Sequence, residues 1–107
     1  MQDKLEKLIL QKKFARENYD TVILIDFKKE PSMKKCFDTD LNVDNLVINI
    51  SANKPGALFI PHKTVIILDE IQECSDARVS IKSFIENDRF DIIATGSLLG
   101  IKGSKTV

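Results

Sequence analysis

Cysteine, histidine and net charge are scarce in this 107-residue chain. Two cysteines (Cys36 and Cys74) and one histidine (His62) cannot build a CxxC pair or a Cys/His zinc cage. Sixteen basic residues against sixteen acidic ones leave no net charge, which argues against a nucleic-acid binder working by bulk electrostatics. Unbroken apolar runs such as Val65 to Leu68 are far too short to span a bilayer. No basic, apolar and small-residue succession marks a signal peptide at the start. There are no internal repeats and no low-complexity stretches. The sequence therefore predicts a cytoplasmic domain with two reduced thiols. A Cys36–Cys74 disulfide is the alternative, and His62, between Pro61 and Lys63, reads as a solvated loop residue.

What is present suits one compact domain. An apolar content of 43% is normal for a globular chain. A domain of this length buries somewhat over about 60% of its unfolded surface, enough for a core but with little stability to spare.

The apolar pattern alternates between two periods. Leu5, Leu8, Ile9, Phe14 and Ala15 recur at helical spacing, predicting an amphipathic helix over about residues 3–17 that ends at Asn18 and Asp20. Thr21–Ile25 is a β-branched run that reads as a strand buried on both faces. Pro31 and Ser32 open a loop or short helix. Val43, Leu46, Val47 and Ile50 mark one face of a second helix, capped by Asn42 or Asp40, and Asn53-Lys54-Pro55-Gly56 stops it. Thr64–Leu68 is a second strand. Ala77, Ile81, Phe84 and Ile85 mark a third helix with Ser75 as its cap, and Asp91–Thr95 is a third strand. Short apolar strands separated by amphipathic helices imply right-handed crossovers and a parallel sheet. The predicted fold is α/β, in three layers, with a short parallel sheet of about three strands.

In an open parallel sheet, ligands bind at the carboxyl ends of the strands. The second strand ends in Asp69-Glu70 after four apolar residues. A carboxylate fixed at a rigid strand tip can hold hydrated Mg²⁺ beside nucleotide phosphates, and a neighbouring Glu can deprotonate an attacking water. The bland alternative is an apolar strand meeting solvent. The third strand ends in Thr95-Gly96-Ser97, where a hydroxyl would lie beside Asp69-Glu70 if the two strands are neighbours. A plain turn at Gly96, with Ser97 capping the next segment, is the competing reading.

Two segments carry a resemblance. Leu68-Asp69-Glu70-Ile71-Gln72-Glu73-Cys74 is similar to the Walker B segment of a prokaryotic AAA-type ATPase family, and Ala94-Thr95-Gly96-Ser97-Leu98-Leu99-Gly100 resembles that family's sensor segment. The likeness extends over roughly residues 8–101, including the stretch from Phe14 to Asp20 and the strand after it. Family members are multidomain ATPases with a C-terminal domain. The resemblance implies ATP and Mg²⁺ as ligands, Asp69 as the carboxylate associated with Mg²⁺, Glu70 as the water-activating base, and Thr95 or Ser97 as the sensor.

The departures are as informative. No GxxxxGK[ST] phosphate loop occurs: Glu6-Lys7-Leu8 stands where Gly-Lys-Thr would be expected. Lys7 could coincide with the phosphate lysine, but Glu6 puts a negative charge beside it and Leu8 cannot ligate Mg²⁺. The run Gly100-Ile101-Lys102-Gly103-Ser104-Lys105-Thr106 has the wrong spacing and reads as a polar tail. Residues 1–107 are thus expected to form a partial AAA-type domain, without phosphate loop or C-terminal domain, and silent by itself. In the family's usual strand order the phosphate-loop strand lies beside the sensor strand. Without it, Asp91–Thr95 becomes an exposed apolar edge, predicting self-association there. A non-catalytic self-associating module is the alternative function, and a plain α/β domain with a solvated Asp69-Glu70 is a third. Arg78 and Arg89 are the exposed candidates for an arginine finger.

Overall fold

The computed structural model describes residues 12–96. Residues 12–18 are helical (α1) and lead into β1 (Thr21–Asp26), a 3-10 turn over Pro31–Phe37, α2 (Val43–Asn53), β2 (Thr64–Asp69), a second 3-10 turn over Ile71–Glu73, α3 (Ser75–Asn87) and β3 (Asp91–Ala94). The three strands form one parallel sheet in the order β1-β2-β3, with Thr21 opposite Thr64 and Ile66 opposite Ile92. Among the described residues, no helix is long and apolar enough to cross a membrane.

Strand alternation divides the apolar residues between two layers. Ile66 and Leu68 face the larger core, with Ile23 and Ile25 of β1, Leu46 and Ile50 of α2, and Ala77 and Phe84 of α3. Val65 and Ile67 face the other side, where Ala15 of α1 covers them. Every residue of β2 is buried, as a central strand between two helical layers requires. In β1, Val22 and Leu24 are half-buried, and among the described residues α1 is the helix on their side.

The capping chemistry resolves the choice at the start of α2. Asn42 is the cap, and its side chain accepts from Asn45 N at 2.8 Å. Asp40 in turn holds Asn42, accepting from its Nδ2 at 2.9 Å. The chain leaves α2 through Gly56, whose φ of +89° is a conformation that glycine adopts without a Cβ clash.

Three expectations are corrected. Ser75 is the first residue of α3 and not its cap; the extended Cys74 takes the capping position and makes no side-chain hydrogen bond there. Ile85 is 63% exposed, because the buried stripe of α3 runs Ala77, Ser80, Phe84 and Ile85 lies about 100° further round the helix. Phe14 is likewise 54% exposed while its neighbour Ala15 is fully buried. Close approach of α1 to Val65 and Ile67 requires the smaller side chain on the inner face. Residues 3–11 of the expected first helix lie outside the described residues.

Candidate functional site

Parallel strands point their carboxyl ends the same way, so Asp26, Asp69 and Thr95 gather at one end of the sheet. Asp26 pairs directly with Asp69 across the β1–β2 ladder. Thr95 follows β3, and its amide donates to Leu68 O at 2.9 Å. The central strand supplies the most deeply placed group: Asp69 is fully buried, Glu70 is 4% exposed and Thr95 is 8% exposed.

Asp69 joins the three pieces. Its Oδ1 accepts from the Thr95 hydroxyl at 2.5 Å and from the Glu70 backbone N–H at 2.9 Å. Its own carbonyl accepts from Phe27 N at 3.1 Å, tying β2 to the exit of β1. A carboxylate this deep is tolerated only when donors satisfy it, and the hydroxyl at the end of β3 is one of them.

Glu70 adopts the left-handed conformation, φ 57° and ψ 49°. For a residue with a Cβ this costs on the order of 1 kcal/mol or more and recurs at functional sites. The chain bends there into the short 3-10 turn, where Glu73 N donates to Glu70 O at 3.0 Å. The Glu70 side chain does not reach outward into solvent: its Oε1 accepts from Gln72 Nε2 at 2.6 Å. The reading of Asp69-Glu70 as a strand simply meeting solvent therefore fails, since both residues are buried.

The donor set is all oxygen, which suits a hard cation such as Mg²⁺. Among the described residues no group of three His, Cys, Asp or Glu side chains is arranged to hold a metal ion. Asp69 Oδ1 already serves two donors. The set thus fits a hydrated cation steadied through water and completed by ligand oxygens, not a cage made by the protein alone.

Two residues at this end escaped sequence reasoning. Asp26 is 7% exposed and looks like another acid at a strand tip. Its Oδ1 instead accepts from Lys28 N at 2.9 Å and Lys29 N at 3.1 Å, so it caps the loop after β1. Gln72 lies two residues past Glu70, and no pattern of residue types distinguishes it from a surface polar residue. Ser97, the other sensor candidate, lies outside the described residues, as does the stretch 98–107. Arg89 is at the opposite end of β3, bonded to Asp44 at 2.5 Å and Asn87 at 2.7 Å, so it cannot reach Asp69 of its own chain. Arg78 is exposed on α3. Both cysteines are buried and free, which removes the disulfide alternative, and His62 is exposed as expected.

A family model described as AAA domain matches residues 7–106. No curated protein and no solved structure matches the chain.

Proposed function

From the fact that this chain belongs to the AAA domain family, which is of ATPase type, we propose that it carries the metal-binding and water-activating half of a Mg²⁺-dependent ATP hydrolase. The observation that carries this reading is the buried Asp69, placed at the carboxyl end of the central strand and bonded to Thr95 from the neighbouring strand. Asp69 would steady a hydrated Mg²⁺, and Glu70 would accept the proton of the attacking water. A cation held near Asp69 would supply charge neutralisation to the reacting phosphate. Thr95 acts through Asp69, because its hydroxyl proton is committed to Oδ1.

The phosphate-holding half has no counterpart in the 107 residues, where no GxxxxGK[ST] pattern occurs. Without its ring of amides and its lysine, most phosphate contacts are lost, so the isolated chain binds Mg·ATP weakly and turns it over slowly or not at all. Calorimetric titration should give millimolar or undetectable affinity, and Glu70→Gln should abolish whatever hydrolysis is measurable. Sub-micromolar affinity with steady turnover refutes the silent chain, and turnover untouched by Glu70→Gln refutes the role of Glu70.

A second reading, a self-associating module, is favoured by the outer edge of β3. Among the described residues β3 pairs with β2 alone. Thr95 N bonds to β2, and ladder alternation then directs the backbone groups of Ile92 and Ala94 outward. An open groove of about 380 Å³ beside them is lined by Phe14, Tyr19, Ile85 and Ile92. A second copy pairing antiparallel about Ile93 matches Ile92 with Ala94 in both directions, and zero net charge imposes no overall repulsion. Light scattering should find dimers at tens of micromolar, and Ala94→Pro, which removes one outward N–H, should yield monomers. A clean monomer in the unmodified chain sinks this reading.

A further inference from the structure

Gln72 is bonded at one end and starved at the other. Its Nε2 donates to Glu70 Oε1 at 2.6 Å, while its Oε1 is buried with no hydrogen-bond partner among the described residues. A buried acceptor left without a donor costs free energy, and an amide turned end for end would exchange the two atoms. Turned that way, Oε1 would face the Glu70 carboxylate, acceptor against acceptor. The observed orientation therefore gives up one acceptor to keep the bond to the carboxylate.

Gly96 closes the other side. A Cβ on Gly96 would stand 2.3 Å from Gln72 Oε1 and 3.4 Å from its Cδ. Its φ is not in the left-handed region, so a side chain there is opposed not by backbone conformation but by the Gln72 amide, which would have to move aside. The preceding residue is already fixed twice: Thr95 O accepts from Ile71 N at 2.9 Å, and Thr95 Oγ1 donates to Asp69. Two consecutive residues after β3 thus bear on two consecutive acids at the end of β2. Thr95 acts on Asp69 directly, and Gly96 acts on Glu70 through the Gln72 amide.

We infer that Gln72 is the positioning residue of the Glu70 carboxylate, and that Gly96 is the backbone contact that keeps Gln72 in place, so that displacement of the chain at Gly96 is transmitted to Glu70. The inference rests on the proposed role of Glu70 for its meaning in hydrolysis, but not for its test.

The test is a double-mutant cycle on the full chain with Gly96→Ala and Gln72→Ala, read by urea unfolding and by NMR of the Gln72 side-chain amide and the Glu70 carboxyl carbon. Overpacking by a methyl group should lower the folding constant about tenfold in the Gly96→Ala chain. In the Gln72→Ala background, where the obstructing amide is gone, the same change should cost less than about threefold. In the unmodified chain the Gln72 amide protons should shift on Glu70→Ala, and Gly96→Ala should shift both the Gln72 amide and the Glu70 carboxyl carbon signals. Additive costs, or a Gln72 amide unmoved by Glu70→Ala, overturn the inference. If Gly96→Ala alone does not fold, the double variant must fold, and its failure also overturns it. None of these readouts uses hydrolysis. Coupling found together with turnover indifferent to Glu70→Gln would leave the coupling standing and reject the role of Glu70, whereas an additive cycle rejects the coupling whatever Glu70 does.

Discussion

Replacing Thr95 by Val removes a hydroxyl at nearly constant volume, and that hydroxyl donates to Asp69 Oδ1 at 2.5 Å. Thr95 is 8% exposed and Asp69 fully buried, so water replaces the lost donor poorly. A hydrogen bond to a charged group contributes about 1.5–3 kcal/mol. We therefore expect Thr95→Val to lower the unfolding free energy by about 2 kcal/mol, a large part of the total for a domain of this size. With a urea slope of roughly 1.3 kcal/mol/M, the midpoint should fall by about 1.5 M. The control is the same substitution on Asp69→Asn, whose neutral amide oxygen accepts a bond roughly half as strong; there Thr95→Val should cost about 1 kcal/mol. Urea titrations of the four chains, followed by far-ultraviolet circular dichroism, measure both quantities. A cost below about 0.5 kcal/mol for Thr95→Val, or an equal cost in both backgrounds, would refute the claim that the end of β3 holds Asp69 in place.

Three further outcomes are expected. Asp88 closes α3 with φ 62° on an exposed surface, so Asp88→Gly should relieve left-handed strain, stabilise by about 1 kcal/mol and raise the melting temperature by roughly 4–8 °C; scanning calorimetry reads this directly. The hydrogen bond to Asp91, then burial and the Asp91 charge, raise the Tyr19 pKa above its ordinary value. The folded chain thus holds the phenolic proton more tightly than the unfolded one, and this stabilisation is present below about pH 10 and lost as pH rises through the folded value. Stability measured across the alkaline range should decline more steeply in the unmodified chain than in Tyr19→Phe. Burial raises the Cys36 thiol pKa, an effect the nearby Lys35 charge partly offsets, so the thiol should resist iodoacetamide at about pH 8 and react fully once urea unfolds the chain; quantitative labelling of the native protein would contradict it.

The fold was legible because its signals were local and repeated. Thr21–Ile25, Thr64–Leu68 and Asp91–Thr95 are apolar runs of strand length, and helical periods between them force parallel crossovers; the observed strands match to within a residue or so at their ends. The helix faces were less legible, because a heptad-like pattern cannot tell which of two adjacent apolar residues a neighbour will cover. Ala15, not Phe14, joins Val65 and Ile67 on one side of the sheet, and Phe84, not Ile85, joins the larger core. At the strand ends Asp69, Glu70 and Thr95 were legible as polar groups at a sheet's carboxyl edge. The bonds among them were not. That Thr95 serves Asp69, that Gln72 serves Glu70 and that Asp26 caps a loop depend on register and on one left-handed residue, and neither is written in residue type.

This arrangement also explains where the chain gives up stability. A strand buried on both faces would be stabilised by one more apolar residue at its tip, yet β2 ends in a fully buried carboxylate, followed by a buried glutamate in a left-handed turn. Each feature opposes folding, and in a domain with little free energy in hand neither persists cheaply. The surrounding bonds offset that cost, and among the described residues the Gln72 carbonyl oxygen is left without a partner beside them. Local choices that conflict with the global fold concentrate where function is exerted. Here they coincide at one end of one strand, while the charged groups at the opposite end of the sheet, Asp44 with Arg89 and Asp20 with Lys63, are exposed ion pairs. What separates the two ends is burial: the acids after β2 are enclosed, whereas the ion pairs at the other end meet solvent.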